Sequence, residues 1–102
     1  MTRAFRLTAP AIADMKEIAD YLATQADFNQ ADRFLLKADQ KFSKISQFPN
    51  LGKVRPEILP GLRSTPLDNY LILYTVSDSS VEILRVVSGY RNLTALFEDP
   101  ES

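Results

Sequence analysis

The pattern of apolar and polar positions singles out residues 70–91, the only stretch that is apolar first on alternate and then on consecutive positions. Two runs rich in β-branched and aromatic residues, Tyr70–Val76 and Val81–Val87, flank the polar turn Asp78–Ser80. Such runs on either side of a short polar turn predict two antiparallel strands joined as a hairpin. We therefore expect this hairpin to form the centre of the fold.

The second run of the hairpin places an arginine among aliphatic side chains. Because side chains alternate between the two faces of a strand, one face is predicted to carry four of them: Val81, Ile83, Arg85 and Val87. An unpaired buried charge is costly, so we expect Arg85 to be a structural arginine paired with Asp68, Glu82 or backbone carbonyls. Tyr70 and Tyr74 share a strand face and are expected to be core or half-buried aromatics whose hydroxyl groups reach water.

The first 26 residues have the pattern of a short strand followed by an amphipathic helix. Phe5 and Leu7 alternate with Ala4 and Arg6, which predicts a strand over residues 3–7. Thr8 is a suitable N-cap, and Pro10 falls in the first turn, where its missing N–H costs nothing. The apolar stripe of this helix, which is predicted to end near Ala26, consists of Ile12, Met15, Ile18, Ala19 and Leu22.

A second helix is predicted from Asn29, taken as its N-cap, to Phe48, where the following Pro49 disfavours helical backbone. Its apolar stripe consists of Ala31, Phe34, Leu35, Ala38, Phe42 and Ile45. Only a few residues join the two helices, so they are predicted to form an antiparallel hairpin. The two stripes together require one apolar sheet face, and no more.

Residues 50–60 contain a glycine and two prolines without apolar periodicity and are predicted to be a loop. A strand is predicted over Leu62–Leu67, with Pro66 at a sheet edge or a bulge. Short turns join this strand to the hairpin strands, which makes the three an antiparallel meander. We therefore predict a two-layer α+β fold in which residues 1–102 form one domain: an N-terminal strand, an antiparallel helix hairpin and a C-terminal three-stranded antiparallel meander.

Composition excludes several kinds of chemistry. The 102 residues include no cysteine and no histidine, which removes disulfides, thiolate nucleophiles, thiolate or imidazole zinc sites and any histidine general base. We accordingly predict no metal site, and the function inferred below needs no cofactor. The sequence has no apolar segment of signal-peptide or membrane-span length, so we expect a cytoplasmic protein without membrane contact.

The formal net charge of −1 argues against direct nucleic-acid binding, for which a basic excess supplies most of the affinity. The charge is distributed unevenly, however, because residues 41–63 contain five basic residues and one acidic residue. The five are Lys41, Lys44, Lys53, Arg55 and Arg63. This segment is either a solvated helix end and loop or a patch that binds an anion or a protein partner.

Four segments, in this order, carry a resemblance to a known family. They are LTAPAIADMKEIADYL (7–22), FPNLGKVRPEILPGLR (48–63), YLILYTV (70–76) and VEILRVVSGYRNLTALF (81–97). Their succession resembles the RelE/ParE family of bacterial type II toxins, in particular the ParE-like branch of plasmid stabilisation proteins. The resemblance covers nearly the whole chain and implies the RelE/ParE toxin fold. It leaves two activities open, because RelE-like members cut messenger RNA in the ribosome whereas ParE-like members poison DNA gyrase.

The side chains at the ribonuclease positions of the family distinguish these activities. By the resemblance, Arg63 and Arg91 occupy positions at which RelE-like enzymes carry a cation, so the positive charge is retained there. Three other positions do not match. Thr65 and Leu71 replace residues that are cations in RelE-like enzymes, and Phe97 replaces a residue with a phenol. RNA cleavage needs a base, an acid and cations that stabilise the developing charge. The resemblance therefore implies that this chain is not a competent ribonuclease.

The leading hypothesis is a ParE-like toxin that inhibits DNA gyrase by protein–protein binding and is neutralised by a cognate antitoxin. Its expected target-binding residues are Arg63, Tyr90 and Arg91, with the two arginines near the same exposed rim. One alternative is a RelE-like mRNA endoribonuclease that uses these three residues as a reduced catalytic set. Another is an inactive toxin-fold binding module. Each alternative is compatible with a homo-oligomer.

Overall fold

Five strands form one mixed sheet in the computed structural model, which describes residues 4–89 and 92–97. They are β1 (Ala4–Leu7), β2 (Lys53–Val54), β3 (Arg63–Leu67), β4 (Tyr70–Val76) and β5 (Ser80–Ser88), in the spatial order β1-β5-β4-β3-β2. Strands β3, β4 and β5 form the predicted antiparallel meander, and β1 pairs in parallel with β5. The N-terminal strand is therefore part of the same sheet, at the edge opposite β2.

Two helices form the second layer, which confirms the predicted α+β fold. They are α1 (Ala9–Gln25) and α2 (Phe28–Gln47). Thr8 caps α1 as predicted, since its hydroxyl accepts a hydrogen bond from the Ala11 N–H at 3.2 Å. The predicted cap of α2 was wrong: the carboxylate of Asp27, rather than Asn29, accepts from the Gln30 N–H at 2.8 Å. An aspartate accepts this bond and also favours the positive end of the helix dipole, so α2 begins two residues earlier. Within the described residues neither helix is long and apolar enough to cross a membrane.

The main core lies between the helix hairpin and one face of the sheet. Both helices and strands β3, β4 and β5 contribute to it: Ala11, Met15, Ile18, Phe34, Ala38, Phe42, Ile45, Leu67, Ile72, Tyr74, Val81, Ile83 and Val86. Two aromatic pairs connect the layers. Phe5 of β1 packs on Phe42 of α2 with ring centroids 5.7 Å apart, and Phe34 of α2 packs on Tyr70 of β4 at 5.4 Å. Aromatic contacts of this kind stabilise the two-layer packing beyond their buried area.

A β-bulge at Leu84 changes which side chains of β5 face the helices. Strand β4 pairs with the residues on either side of Leu84 but not with Leu84 itself. As a result Val86 joins Val81 and Ile83 in the main core, whereas Val87 lies on the opposite sheet face. The prediction that Val81, Ile83, Arg85 and Val87 share one face was therefore wrong, because a strict period of two does not continue through a bulge.

The sheet face turned away from the helices is apolar as well. Leu62, Leu73 and Val87 are buried there, and they are covered by Ile58, Leu59, Leu84, Leu93, Leu96 and Phe97. The prediction that the fold needs only one apolar sheet face was wrong. The loop before β3 and the 3₁₀ turn Thr94–Phe97 supply a second, smaller cover. The helical spacing of Leu93, Leu96 and Phe97 predicts this last short turn, but not that it covers the sheet.

The predicted loop over residues 50–60 contains a strand. After the 3₁₀ turn Pro49–Leu51, β2 runs antiparallel to the start of β3, with Lys53 opposite Ser64 and Val54 opposite Arg63. Two residues are too few to give a period-two signal, which is why the sequence did not reveal this strand. Pro66 lies in the part of β3 that β2 does not reach, so it falls at a sheet edge as predicted.

Candidate functional site

Two adjoining grooves meet where the helix hairpin passes over the turn between β3 and β4. Their volumes are about 480 Å³ and 460 Å³, and they share the lining residues Tyr21, Asn69 and Tyr70. We name the two together the hairpin groove. Tyr21 is 58% exposed at their junction, so an aromatic ring is available to a bound partner there. Burial, with a smaller contribution from Tyr21, raises the pKa of Tyr70, so the Tyr70 hydroxyl is a neutral hydrogen-bonding group at physiological pH.

The two ends of the hairpin groove carry opposite charges. Helix α1 places Asp14 and Glu17 at one end, and α2 places Arg33 and Lys37 at the other. Lys37 Nζ lies 3.4 Å from Asp68 Oδ1 in an exposed ion pair, which solvent screens. The groove can therefore hold a protein segment that is apolar in its middle and oppositely charged at its ends.

Asp14 forms the floor of the acidic end and joins α1 to the bulged strand. The guanidinium of Arg85 donates to both carboxylate oxygens, from Nε at 2.6 Å and from Nη2 at 2.9 Å. The backbone N–H of Val86 donates to the same carboxylate at 3.0 Å. The hydrogen bond with Asp14 raises the pKa of Arg85, although burial opposes the shift. Asp14 thus binds β5 just beyond Ile83, where the pairing with β1 ends.

This geometry confirms that Arg85 is a paired, partly buried structural arginine, but the predicted partners were wrong. Glu82 forms an ion pair with Arg6 of the neighbouring strand, and Asp68 pairs with Lys37. Arg85 directly follows the bulge at Leu84, and its guanidinium reaches Asp14 on α1. A carboxylate 71 residues away in the chain cannot be chosen from strand alternation alone.

Tyr74 anchors the segment that leads into β2. It is fully buried, and its hydroxyl accepts a hydrogen bond from the Gly52 N–H at 2.7 Å and donates to the Pro49 carbonyl at 2.8 Å. The expectation of a solvated hydroxyl was therefore wrong for Tyr74. Burial raises its pKa, opposed by the Gly52 hydrogen bond and the charge of Arg63. Gly52 is required at this contact, since a Cβ there would lie 2.5 Å from Tyr74 Oη.

Arg63 is the predicted site residue that the structure describes. Its Nη1 donates to the Gly52 carbonyl at 2.8 Å, which ties the half-buried guanidinium to the same segment. Tyr90 and Arg91 lie outside the described residues, so a shared rim for Arg63 and Arg91 stays a prediction. The strand register shows that Arg63 and the end of β5 lie at different positions along β4. Arg63 lies opposite Tyr74, whereas Ser88 at the end of β5 lies opposite Tyr70, where β4 begins.

The structure describes the three positions at which the resemblance implies that ribonuclease groups are replaced. Thr65 is buried in β3, Leu71 is half-buried in β4, and Phe97 packs on the second apolar cluster. None of these side chains can supply a cation or a phenolic proton. In the described parts of the chain no cluster of carboxylates could hold a metal ion.

An exposed surface lies beside Arg63 within the basic segment 41–63, and we name it the β2 edge. The sequence left this segment open as a solvated stretch or a partner-binding patch, and it did not reveal the apolar part of the surface. The β2 edge consists of Phe48, Leu51, Lys53, Val54 and Arg55. Three of these are large apolar side chains with high exposure, 60% for Phe48, 42% for Leu51 and 49% for Val54. Arg55 Nε donates to Ser64 Oγ at 3.0 Å, and its Nη1 lies 3.8 Å from Glu57. The available signal was the high basic content of residues 41–63 combined with apolar residues that belong to no helical stripe.

Comparison with known proteins agrees with the resemblance found in the sequence. Residues 5–93 match the family model of the ParE toxin of type II toxin-antitoxin system, parDE. Toxin ParE3 of Caulobacter vibrioides is 30% identical over 88 residues, which is 86% of this chain and 88% of that protein. The family model thus covers well over half of the chain, and the relative is similar along most of its length.

Two solved structures share the fold. One chain of the chromosomal ParDE TA system from P. aeruginosa superposes with a TM-score of 0.74 at 22% identity, covering 85% of this chain and 96% of that one. One chain of the toxin-antitoxin complex RelBE2 from Mycobacterium tuberculosis superposes with a TM-score of 0.60 at 26% identity, covering 86% and 99%. Together with the family match, these similarities establish that the chain belongs to the ParE toxin family of type II toxin-antitoxin systems.

Proposed function

We propose that this toxin acts in the cytoplasm by binding and poisoning DNA gyrase, and that a cognate antitoxin neutralises it. The proposal uses no cofactor, because inhibition by protein–protein binding needs only a complementary surface. The ParE family match supports this mode of action, since gyrase is the target that the ParE-like resemblance implies.

The observation that carries the proposal is the state of the ribonuclease positions. Thr65 is buried in a strand, Leu71 is aliphatic and Phe97 is packed into an apolar cluster. Loss of one contact that stabilises a transition state typically costs about a hundredfold in rate, and here three groups are replaced. A surface that only binds a protein needs no groups that stabilise a transition state, so these three residues are compatible with gyrase binding.

The proposed target contacts are Arg63, Tyr90 and Arg91. Of the three, Arg63 lies within the described residues. One of its nitrogens donates to the Gly52 carbonyl, which fixes the side chain while leaving further N–H donors of the guanidinium for a partner. Arginine is enriched among interface residues with large energetic effects because its planar group makes several hydrogen bonds and its stem packs on apolar atoms.

The hairpin groove supports the antitoxin part of the proposal. It combines an exposed aromatic ring, Tyr21, with an acidic and a basic end, and it extends over two helices and a strand turn. Such a groove suits a segment that folds on binding, which is how antitoxin tails are expected to neutralise toxins of this family. The solved relative RelBE2 is itself a toxin-antitoxin complex. The exposed apolar residues are also compatible with self-association when no partner is present.

A RelE-like mRNA endoribonuclease is the second candidate. The observation in its favour is the 26% identity to a chain of RelBE2 over 86% of this sequence. In that case Arg63, Tyr90 and Arg91 would form the reduced catalytic set. An inactive binding module would retain the antitoxin contact and lack both activities.

Gyrase-supercoiling and ribosome-dependent mRNA-cleavage assays on the same purified protein test the proposal. We expect inhibition of supercoiling without mRNA cleavage. Arg91→Ala should melt like the parent and lose about 2 kcal/mol of target binding, or roughly thirtyfold in potency. Lys16→Ala, an exposed change on α1, serves as the control. Cleavage of messenger at micromolar protein would favour the second candidate, and inactivity in both assays would favour the inactive module.

A further inference from the structure

We infer that the β2 edge is part of the surface with which this toxin contacts its target, and that it fits a protein surface carrying carboxylates around an apolar recess. The inference rests on the proposed function, because it assigns a contact surface for that target. It concerns a region remote in sequence from Tyr90 and Arg91, and it can fail while the gyrase proposal holds.

The apolar content of the β2 edge is concentrated. Phe48, Leu51 and Val54 lie within one stretch of seven residues, and each is more than two-fifths exposed. The Leu51 N–H donates to the Phe48 carbonyl at 2.9 Å, which closes the turn and holds these two residues close together. Single exposed apolar residues are ordinary, but a contiguous group rimmed by charges is typical of an interaction site.

The charges around this group are mostly of one sign. Lys53 and Arg55 belong to the edge, and Lys44 and Arg63 lie on the elements that flank it, whereas Glu57 is the one acidic residue in residues 41–63. Glu57 lies 3.8 Å from Arg55 and offsets only that cation. The edge is therefore complementary to a partner surface that carries carboxylates.

The backbone of β2 is open on its outer side. The Arg55 N–H donates to the Leu62 carbonyl at 2.8 Å, which places the hydrogen-bonded positions of this ladder at Arg55 and Lys53. In an antiparallel pair the intervening residue directs its N–H and C=O away from the neighbouring strand. Val54 thus presents both backbone groups outward at an edge where β2 is the last strand.

The surface is also held in place before any partner binds. The hydroxyl of Tyr74 bonds to Pro49 and Gly52 from inside the protein, and Gly52 in turn accepts from Arg63. These bonds fix the segment between Phe48 and Lys53 from beneath, so its exposed side chains need little ordering on association. A preorganised surface loses less conformational entropy when it binds.

A protein is a better partner for this surface than a nucleic acid. Phosphate backbones are bound mainly by cations, and here three of the five side chains are aliphatic or aromatic while the whole chain has a net charge of −1. The β2 edge also shares no residue with the lining of the hairpin groove. Target contact and antitoxin contact can therefore be separated by mutation.

The test uses two variants of the full chain, Lys53→Glu and Leu51→Ser, with Lys16→Glu as a matched charge reversal on the exposed side of α1. Each is assayed for inhibition of purified gyrase, binding of the antitoxin encoded beside the toxin gene, binding of a DNA duplex and a single-stranded RNA, and thermal melting. We expect both edge variants to need at least about tenfold more protein for half-maximal gyrase inhibition. Their melting temperature and antitoxin affinity should match those of Lys16→Glu.

Three results would overturn the inference. Parent-like gyrase inhibition by both edge variants would show that the edge makes no target contact, while the proposed function would stand. Loss of nucleic-acid binding in the edge variants, with inhibition unchanged, would assign the edge to nucleic acid instead. Failure of the parent itself to inhibit gyrase would reject the proposed function and this inference with it.

Discussion

The hairpin groove and the β2 edge are both exposed and partly apolar, yet different interactions hold them in place. An ion pair, Asp14 with Arg85, supports the groove, and its carboxylate also accepts from the Val86 N–H. A neutral hydroxyl, that of Tyr74, supports the edge through two backbone hydrogen bonds. The groove is a concave surface with charges of both signs, whereas the edge is an outer strand with cations. The difference indicates that the chain has two unlike exposed surfaces, each anchored by its own set of interactions.

Asp14→Ala, a change in the hairpin groove, should cause the largest loss of stability. It would leave the Arg85 guanidinium and the Val86 N–H without their acceptor, and breaking a buried ion pair typically costs about 3 kcal/mol. We expect a loss of that size in the free energy of unfolding, measured by urea denaturation, together with weaker antitoxin binding. Asp20→Ala, an exposed change on the same helix, should alter stability by less than about 0.5 kcal/mol. A loss below 1 kcal/mol for Asp14→Ala would show that the ion pair does not anchor the groove.

Gly52→Ala should disturb the β2 edge without affecting the groove. The added Cβ would lie 2.5 Å from Tyr74 Oη and 2.9 Å from the Ser64 carbonyl, so the loop or the tyrosine must move. Overpacking of this kind costs about 1–3 kcal/mol. Gly89→Ala is the matched control, because its Cβ would meet no atom closer than 3.5 Å. Equal melting temperatures for the two variants would contradict the proposed tight contact.

Tyr74→Phe should have a smaller effect, because it removes one oxygen and leaves the Gly52 N–H and the Pro49 carbonyl unpaired. We expect a loss of about 1.5 kcal/mol at neutral pH. The pKa of Tyr74 is raised above its ordinary value of 10.0, so the folded state favours the neutral phenol. Its contribution to stability is therefore complete below pH 10 and is lost as the pH rises through the folded pKa.

A pH series of urea denaturation curves between pH 8 and 11 measures this contribution. The parent should lose stability above pH 10 more steeply than Tyr74→Phe, while Tyr70, whose pKa is also raised, contributes equally to both proteins. Identical slopes for the parent and Tyr74→Phe would mean that the hydroxyl is not held as the structure describes.

The parts of the fold that depend on local periodicity could be predicted from the sequence. The helix hairpin, the Thr8 cap and the meander all follow from apolar spacing and short turns. The cap of α2 was misplaced because Asp27 and Asn29 are both suitable caps, and the competition is decided by where the chain leaves α1. Strand β2 was missed because its two residues form only in the presence of the start of β3.

The site was harder to predict because its contacts join residues that are distant in the chain. Arg85 follows the bulge at Leu84 and pairs with Asp14 on α1, and neither residue alone indicates that geometry. The hydroxyl of Tyr74 binds a segment 22–25 residues earlier, which no alternation pattern reveals. Arg63 was singled out because the strand pattern gives no reason for an arginine there. In the structure it donates to the Gly52 carbonyl of that same segment. The roles of Tyr90 and Arg91 stay predictions.

The parallel pairing of β1 with β5 has a consequence for when the protein becomes functional during synthesis. Arg6 and Glu82, which face each other across these strands, are 76 residues apart in the chain. Both helices can form on the growing polypeptide, but β1 must wait for a partner strand that is translated late. Contacts of such long range slow folding, because the chain must close a large loop before the contact gives any stability. We therefore expect the nascent toxin to stay incomplete until residue 83 has been translated, which delays its action on any target in the cell.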